Sequence, residues 1–422
     1  MAVRHKHRNH LAYYKETTVC AAPASWADDG IPILHREIDI SGIKQTLVDD
    51  PSLETYGQAV GTRKVLEGAR NVEFKASTHL TGSGVTVAQD AQAVTDPIQD
   101  LIHYAMGGSS FSNTTEITGG TALAPIFDEV TNFAAGQLLA FEDTTSPTKA
   151  GQVYWGRIAS INVGTKTVTL HEALPFTPAA GDNVYGVGSF YIDELVLEDA
   201  VANLKTLSWF IQLHPSDPHF VWEATGCVHS MAVSGIERNA PPKLDFSVMA
   251  GNFKHSDEDG LANIAFADPI FGYPPLAISQ LKCSIADASG TTNNFVSVSS
   301  FNLDLGVGRE PVQTITENLN RFEGLHSFTV KFSPTELTLV IPEYDASWYA
   351  GLKAGKDYRV CLFQGSKGAS KTWAIWLQGQ LVETPAKSEV GEAMGVQLKF
   401  RATPNSTGAT AIEVSRVLIG IG

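Results

Sequence analysis

Short runs in which apolar and polar residues alternate recur along the whole chain and predict β-strands. Ile38-Asp39-Ile40 and Leu303-Asp304-Leu305 alternate in this way, and glycine follows each run closely. Val72-Glu73-Phe74-Lys75 and Phe328-Thr329-Val330-Lys331 alternate as well. Successive side chains of a strand point to opposite faces, so such runs are typical of strands with one buried face. The chain is therefore predicted to be mainly β.

Two helices interrupt these strands. The first is predicted to begin at Asp96-Pro97, because aspartate caps helix N-termini and proline suits the first turn. Its apolar side chains share one face, and Gly107-Gly108 ends it. Asp345 caps the second helix, which carries Trp348 and Leu352 one turn apart and stops near Gly355.

The same elements occur twice in the same order, which predicts an internal duplication. After the helices, residues 207–211 match 358–362, Gly226 matches Gly379, and residues 244–248 match 396–400. The offset between matched residues is 265 at the first strand, 249 at the helix caps and 151 to 154 afterwards. The first copy therefore contains a block of about 98 extra residues, since 249 − 151 = 98.

The extra block is predicted to be a small β-barrel or sandwich. Residues 138–141, 153–155, 157–161 and 167–170 look like short strands with close turns between them. Because insertions occur at surface loops, its two ends are expected to lie close together. The predicted organisation is an N-terminal arm (1–32), a first domain (33–109 and 201–275, including a linker), an inserted β domain (110–200) and a second domain (276–422).

Composition limits the function. The chain has 422 residues, 43% hydrophobic and 18% charged, which indicates folded domains with sizeable cores. A net charge of −15 argues against a surface that grips phosphates. No apolar stretch is long enough for a membrane helix. The four cysteines lie far apart, and no catalytic or phosphate-binding motif is present. We therefore predict no enzyme activity, no cofactor and no metal site.

The repeated order of strand, long loop, strand, capped helix and three further strands resembles the tail tube proteins of long-tailed bacteriophages. Segments such as Gly226-Cys227-Val228 leading to Leu244-Asp245-Phe246 add to this resemblance. It covers residues 33–108 with 200–255, and residues 280–422. It implies a duplicated tail-tube β-sandwich, each copy with one flanking helix, in subunits that close into rings and stack into a hollow tube.

Most members of that family place one such fold in each subunit and six in each ring, so two fused copies imply rings of three chains. The implied partners are further copies of the chain and other tail proteins such as terminator, tape measure and baseplate components. Double-stranded DNA would pass through the lumen during ejection without specific binding, and no membrane is involved. The implied location is the virion tail, after assembly in the host cytoplasm.

Two other functions remain open from the sequence. The first is another tail component of the same fold, such as a baseplate hub, distal tail or terminator protein. The second is a β-rich carbohydrate-binding adhesin. The inserted domain is expected on the outer wall of a tube, as a decoration that assembly does not need.

Long loops follow the first strand of each copy, from Gly42 to about Arg63 and from Gly306 to about Glu323. Loops of this length without periodicity are often functional. They and the N-terminal arm are expected to join stacked rings through charged contacts. The candidate residues are Asp49, Asp50, Glu54, Arg63, Arg309, Glu310, Glu317 and Arg321.

Overall fold

The computed structural model of the protein describes residues 10–33, 37–49, 65–82, 97–144, 152–199, 205–213, 221–235, 241–255, 281–313, 325–342, 347–365, 372–390, 393–405 and 408–422.

The first copy begins with five strands and two helices. They are β1 His10–Lys15, α1 Trp26–Asp29, β2 Ile31–Pro32, β3 Glu37–Asp39, β4 Ile43–Asp49, β5 Val65–His79 and α2 Pro97–Met106. The insertion follows α2 directly. It consists of β6 Gly107–Phe111, β7 Thr115–Gly120, β8 Pro125–Phe127, β9 Leu138–Asp143, β10 Gln152–Asn162, β11 Thr167–Leu170, β12 Asn183–Tyr185, β13 Gly188–Ile192 and α3 Glu194–Glu198.

The chain then completes the first copy and builds the second. The remaining strands of the first copy are β14 Leu207–Gln212, β15 Val221–Gly235, β16 Lys243–Met249 and β17 Asn252–His255. The second copy contains β18 Lys282–Asp287, β19 Asn294–Val296, β20 Ser300–Asp304, β21 Val307–Gln313, β22 Leu325–Phe332, β23 Glu336–Ile341, α4 Ser347–Ala354, β24 Asp357–Gly365, β25 Thr372–Leu381, β26 Ala386–Val390, β27 Ala393–Ala402, α5 Ala411–Val414 and β28 Val417–Ile421.

The two predicted copies show similar antiparallel pairing. In the first copy β14 pairs with β1 and β15, β15 pairs with β16 and β17, and β5 pairs with β16, β3 and β4. In the second copy β24 pairs with β18 and β25, β25 with β27 and β28, β23 with β27 and β20, and β21 with β22. The strands β22 and β23 together take the place of the long β5.

At the start of the hairpins, the pairing corrects the predicted alignment. Val72 lies opposite Ile43, directly after Gly42, and Phe332 lies opposite Val307, directly after Gly306. Val72 therefore corresponds to Phe332 and not to Phe328. Both sequences alternate, so a shift of four residues leaves the pattern of apolar positions unchanged.

The prediction of a separate N-terminal arm is wrong from His10 onward. Strand β1 lies in the first sheet between β14 and β2. The carboxylate of Glu16, which is 4% exposed, accepts hydrogen bonds from Thr206 Oγ1 at 2.7 Å and Ser208 Oγ at 2.6 Å. It also accepts from the backbone N–H of Gly226 at 2.6 Å. These bonds fix the segment to the first copy; residues 1–9 lie outside the described ranges.

The insertion forms the predicted barrel and is held by a paired stem. Six strands close in the order β10-β11-β8-β7-β12-β9. Strands β6 and β13 pair with each other, with Gly107 opposite Ile192, so the two ends of the insertion lie side by side as predicted. Strand β13 also pairs with β28. The stem therefore leaves the first copy after α2 and joins the sheet of the second.

Candidate assembly edges and hairpins

The sheets of the two copies are joined edge to edge within the chain. The last residues of β15 pair antiparallel with β20, from Ala232 opposite Asp304 to Gly235 opposite Phe301. One sheet therefore runs in the order β3-β5-β16-β15-β20-β23-β27. We call the β15–β20 pairing the internal junction.

The ends of this sheet carry the two edges that correspond to the internal junction. In the part of the chain that the structure describes, β3 pairs only with β5, and β26 pairs only with β27. Strand β3 is the counterpart of β20, and the segment from Leu381 through β26 is the counterpart of the end of β15. The first copy thus presents one half of such a junction, and the second copy presents the other half.

One face of this sheet is apolar and buried, and the other is polar. Phe74, Phe246, Leu303, Leu337 and Phe400 lie on the buried face, each at most 1% exposed. The intervening positions form a polar face, which contains Glu37, Asp39, Glu73, Lys75, Lys243, Asp245, Ser247, Asn302, Asp304, Glu336, Thr338, Gln397, Lys399 and Arg401. The alternation of apolar and polar residues in the sequence therefore places apolar side chains in the core and polar side chains on the opposite face, in both copies.

Several bases on the polar face form ion pairs with carboxylates of the same face. Lys243 Nζ lies 2.7 Å from Asp245 Oδ1. Glu336 accepts from Lys399 at 3.0 Å and from Arg401 at 3.0 Å on the neighbouring strand. These bases lower the pKa of the Glu336 carboxyl, with the hydrogen bond from Lys399 as the largest cause. The positive charges of these three side chains are thus partly neutralised within the face.

The predicted long loops are in part β-hairpins. Residues 43–49 form β4 against β5, and residues 307–313 form β21 against β22. Both hairpins start at a glycine, Gly42 or Gly306, where a Cβ atom would collide with the carbonyl oxygen of Glu73 or Ser333. The expectation that these segments lack regular structure is therefore wrong at their bases. Residues 50–64 and 314–324 lie outside the described ranges.

Arg309 connects the second hairpin to β15 of the first copy and to α3 at the end of the insertion. Its guanidinium donates from Nε to the carbonyl of His229 at 3.2 Å and from Nη1 to the carbonyl of Leu197 at 2.9 Å. The residue is 6% exposed, and burial lowers the pKa of its guanidinium to about 10. Arg309, predicted as a contact between rings, instead lies between the two copies of one chain, beside the internal junction.

Of the other predicted contact residues, only Glu310 and Asp49 lie within the described ranges. Glu310 is exposed and lies 3.4 Å from Lys331 Nζ across the hairpin. Asp49 is the last residue of β4, opposite Val65. Asp50, Glu54, Arg63, Glu317 and Arg321 lie outside the described residues. The structure therefore brings Arg309 and Glu310 together on one hairpin, and the first hairpin begins at the matching place.

The inserted barrel packs on the second copy. Its core is continuous with Cys361, Phe363, Trp376 and Leu418, which lie on the face of the second copy that points away from the main core. Trp155 Nε1 donates to Thr372 Oγ1 at 2.8 Å. The cluster of Ala12, Trp26, Phe210 and Val221 covers the corresponding face of the first copy. The outer face of the second copy is thus covered by the barrel, and that of the first copy is covered by the N-terminal segment that contains Trp26.

A buried charged cluster lies in this interface. Arg157 of the barrel donates to the carbonyls of Gly136, Ile412 and Glu413 at 2.7 to 3.2 Å, and its guanidinium stacks 4.2 Å from the Trp376 ring. Arg359 Nε lies 3.4 Å from Glu172 Oε1. Burial raises the pKa of Glu172 to about 7, although Arg359 and Arg157 oppose the shift.

Sequence reasoning missed this interface and the edge at β26. Nothing near Arg157 in sequence indicates its partners Ile412 and Glu413, which lie more than 200 residues away. The edge carried a weak signal, because Ala386-Lys387-Ser388-Glu389-Val390 partly alternates after Pro385.

Neither a metal site nor a membrane helix is found in the described ranges. No group of three or more His, Cys, Asp or Glu side chains there could hold a metal ion. No helix among those residues is long and apolar enough to cross a bilayer. The four cysteines are free, three of them buried.

Comparisons with known proteins add little. No protein-family model matches the sequence, and no curated protein matches it. Among solved structures, the chain is similar to the tail tube of SPP1, in a hybrid structure from solid-state NMR and cryo EM. The identity is 16%, the match covers 29% of this chain and 72% of that chain, and the TM-score is 0.20. A TM-score this low carries no argument, so the function has to be argued from the geometry of the chain.

Proposed function

We propose that this chain is a structural, non-enzymatic subunit of a phage-type tail tube. Three chains close into a ring of six sandwiches, and rings stack into a hollow tube through which double-stranded DNA passes. The observation that supports this most is the internal junction, where two copies of one fold already join edge to edge. Repeating that junction between chains adds sandwiches in a constant direction, and closed cyclic assemblies are the usual outcome for identical subunits.

The edges at β3 and at β26 favour closure of several chains into a ring. Exposed strand edges pair with other chains unless they are covered, and a closed ring leaves none unpaired. Two copies per chain and six per ring require three chains. The inserted barrel would then occur three times per ring, beside the second copy of each chain.

The two faces of the sheet fit a tube wall. The apolar face is filled by the chain's own core, so the polar face is the one available to line a lumen. That face carries acidic side chains, and Lys243, Lys399 and Arg401 are paired with carboxylates on it. Such a surface gives phosphates few free cations to bind, so DNA would slide past it without specific contacts.

The hairpins are the candidates for contacts between rings. Axial contacts need segments that project from the sandwich, and the described N-terminal residues and β28 are both built into sheets. We therefore keep Glu310, Asp49, Asp50, Glu54, Arg63, Glu317 and Arg321 as proposed inter-ring residues. Arg309 is assigned to the contact between copies.

Negative-stain microscopy of the purified protein, with native mass spectrometry of the same sample, tests the proposal. We expect tubes, or rings with the mass of three chains. Single closed rings that never stack would favour a terminator, hub or distal tail component. A monomer at every concentration that instead binds glycans would reject the proposal.

A further inference from the structure

If the internal junction repeats between chains, its pairing predicts which residues of neighbouring chains lie opposite each other. We call this contact between chains the seam. Two rows of paired residues show which positions correspond. In the first copy the row is Ile38, Ala76, Phe246 and Met231, each opposite the next on adjacent strands. In the second copy the row is Leu303, Leu337, Phe400 and Leu381. Ile38 therefore corresponds to Leu303, Phe246 to Phe400 and Met231 to Leu381. The predicted match of residues 244–248 with 396–400 is thus shifted by two residues, and the predicted match of Gly226 with Gly379 does not extend to this end of the strands.

The same pairings show which residues of the free edges are the counterparts of residues in the internal junction. At the internal junction Asp304 lies opposite Ala232, and Asn302 lies opposite Ser234. Asp39 and Glu37 are the counterparts of Asp304 and Asn302. Ala232 lies opposite Asp245. In the second copy Val382 donates its N–H to the carbonyl of Lys399, the counterpart of Asp245, so Val382 corresponds to Ala232. Ser234 lies opposite Lys243, and Ala386 lies opposite Gln397, the counterpart of Lys243.

We propose that β3 of one chain pairs antiparallel with the edge from Val382 to Ala386 of the next chain, with Asp39 beside Val382 and Glu37 beside Ala386. This rests on the proposed ring, and the partner is a second copy of this chain. Both segments lie at the surface, with Glu37 and Ala386 exposed. The pairing would continue the sheet beyond each end of the chain in the way that the internal junction continues it within the chain.

The seam between chains differs from the internal junction in one respect. Strand β15 is regular where it meets β20, whereas Val382 and Ala386 are separated by three residues whose counterpart in the first copy is Val233 alone. One of the three is Pro385, which has no N–H to donate. Bulges and prolines are devices that keep free edges from pairing without control. The seam would thus contain fewer hydrogen bonds than the internal junction, and the free chain would resist premature association.

Cysteine pairs test the register. Directly opposite residues of antiparallel strands have Cα atoms about 4.5 to 5.5 Å apart, within the range of a disulfide. The double variant Glu37→Cys with Ala386→Cys is first assembled into rings. Oxidation should then link its chains covalently, so that a non-reducing gel shows trimers. The equivalent pair, Asn302→Cys with Ser234→Cys, should form its disulfide within one chain and stay a monomer on the gel. Glu37→Cys with Lys387→Cys is the control that is out of register by one residue.

The outcomes separate the seam from the ring. If rings form and the internal pair links, but Glu37 and Ala386 do not, the seam proposal is wrong while the proposed function stands. Equal linking of the Lys387 control would overturn the register. If the wild-type protein forms no rings, the proposed function fails, and the seam fails with it.

A measurement without substitutions covers the case in which the variants do not fold. Hydrogen exchange should slow in peptides covering 37–39 and 381–390 when rings form. The peptide covering 300–304 should not change, because β20 is already paired on both sides. Unchanged exchange in 37–39 and 381–390 on ring formation would overturn the seam.

Discussion

At the residue scale, Arg157 links two parts of the chain. It is fully buried, and it joins the barrel to the second copy through the carbonyls of Ile412 and Glu413 and the Trp376 ring, while it also donates to Gly136 within the inserted domain. A buried charge is stable only when its hydrogen bonds are satisfied. The fork of a guanidinium reaches several carbonyls at once, whereas an ammonium does not match that geometry.

Arg157→Lys should therefore lower the free energy of unfolding by about 2 to 4 kcal/mol, because carbonyls and a buried charge lose partners. Arg401→Lys is the matched control, since that side chain is half exposed and pairs only at the surface. Its effect should stay below about 1 kcal/mol. Chemical denaturation measures both, and equal effects would show that Arg157 does not hold the interface.

Glu172 should make stability depend on pH. Its pKa is about 7 in the folded protein against 4.5 for the unfolded chain, so the folded state binds the proton more tightly. The stability from this group is complete below about pH 4.5 and is lost as pH rises through 7. Relative to Glu172→Gln, the wild-type melting temperature should therefore fall between pH 4.5 and 8.

Glu336→Gln provides the control with the opposite sign. Ion pairs lower the pKa of Glu336, so its contribution is present above the unfolded pKa and is lost as pH falls. Relative to that variant, the wild type should gain stability with rising pH. A rise for Glu172 as well would mean that the two arginines outweigh its burial.

At the scale of elements, period-two patterns predicted many strands that have one covered face and missed β1, which is covered on both. Strand β1 has Ala12 and Tyr13 both buried, because Trp26 of α1 packs on its outer face beside Phe210 and Val221 of the same sheet. Strands covered on both faces do not alternate, so their sequences gave no period.

Other elements were missed for local reasons. A register shift between Gln45 and Leu47 breaks the alternation of β4, and β21 contains Gly308 and Pro311, which are rare inside strands. Ile412 and Val414 alternate with polar residues as in a strand, but residues 411–414 form α5. The sequence held the signal for that helix, because Thr410 and Glu413 form a capping box.

The hairpin base gives a prediction for Gly306. Its φ of +69° is a left-handed conformation, and a Cβ atom there would meet the Ser333 carbonyl. Gly306→Ala should destabilise the chain by about 1 to 3 kcal/mol. At Gly308 the added Cβ would lie 3.5 Å from the Lys331 carbonyl oxygen, an ordinary contact. Gly308→Ala should therefore have little effect, and similar denaturation midpoints for the two variants would contradict this account.

The barrel covers an apolar face of the second copy, so we expect its removal to affect more than a surface decoration. Joining Phe111 directly to Gly188 through a short turn would preserve the β6–β13 stem and remove the barrel. That deletion would expose Trp376, Phe363 and Leu418, and a new apolar patch of this kind promotes aggregation. We expect an insoluble or strongly destabilised chain, measured by gel filtration and thermal unfolding. A soluble variant that melts with the wild type would restore the simpler interpretation as decoration.

At the scale of the whole molecule, the sequence predicted the duplication and its order, but not how the copies join. The order depends on local patterns that each copy carries separately. The internal junction, the docking of the barrel and the position of Arg309 depend on contacts between residues tens to hundreds of positions apart. Single-sequence patterns do not contain those contacts, and they emerge only when the strands pair.

The central claim is that the internal junction repeats between chains to close a ring. End-on averages of the assembled particles by electron microscopy test it most directly. The account predicts six similar wall repeats with threefold symmetry, in which three inserted barrels alternate with three positions that lack one. Six barrels per ring, or a ring whose wall is not divisible into three identical pairs, would contradict it.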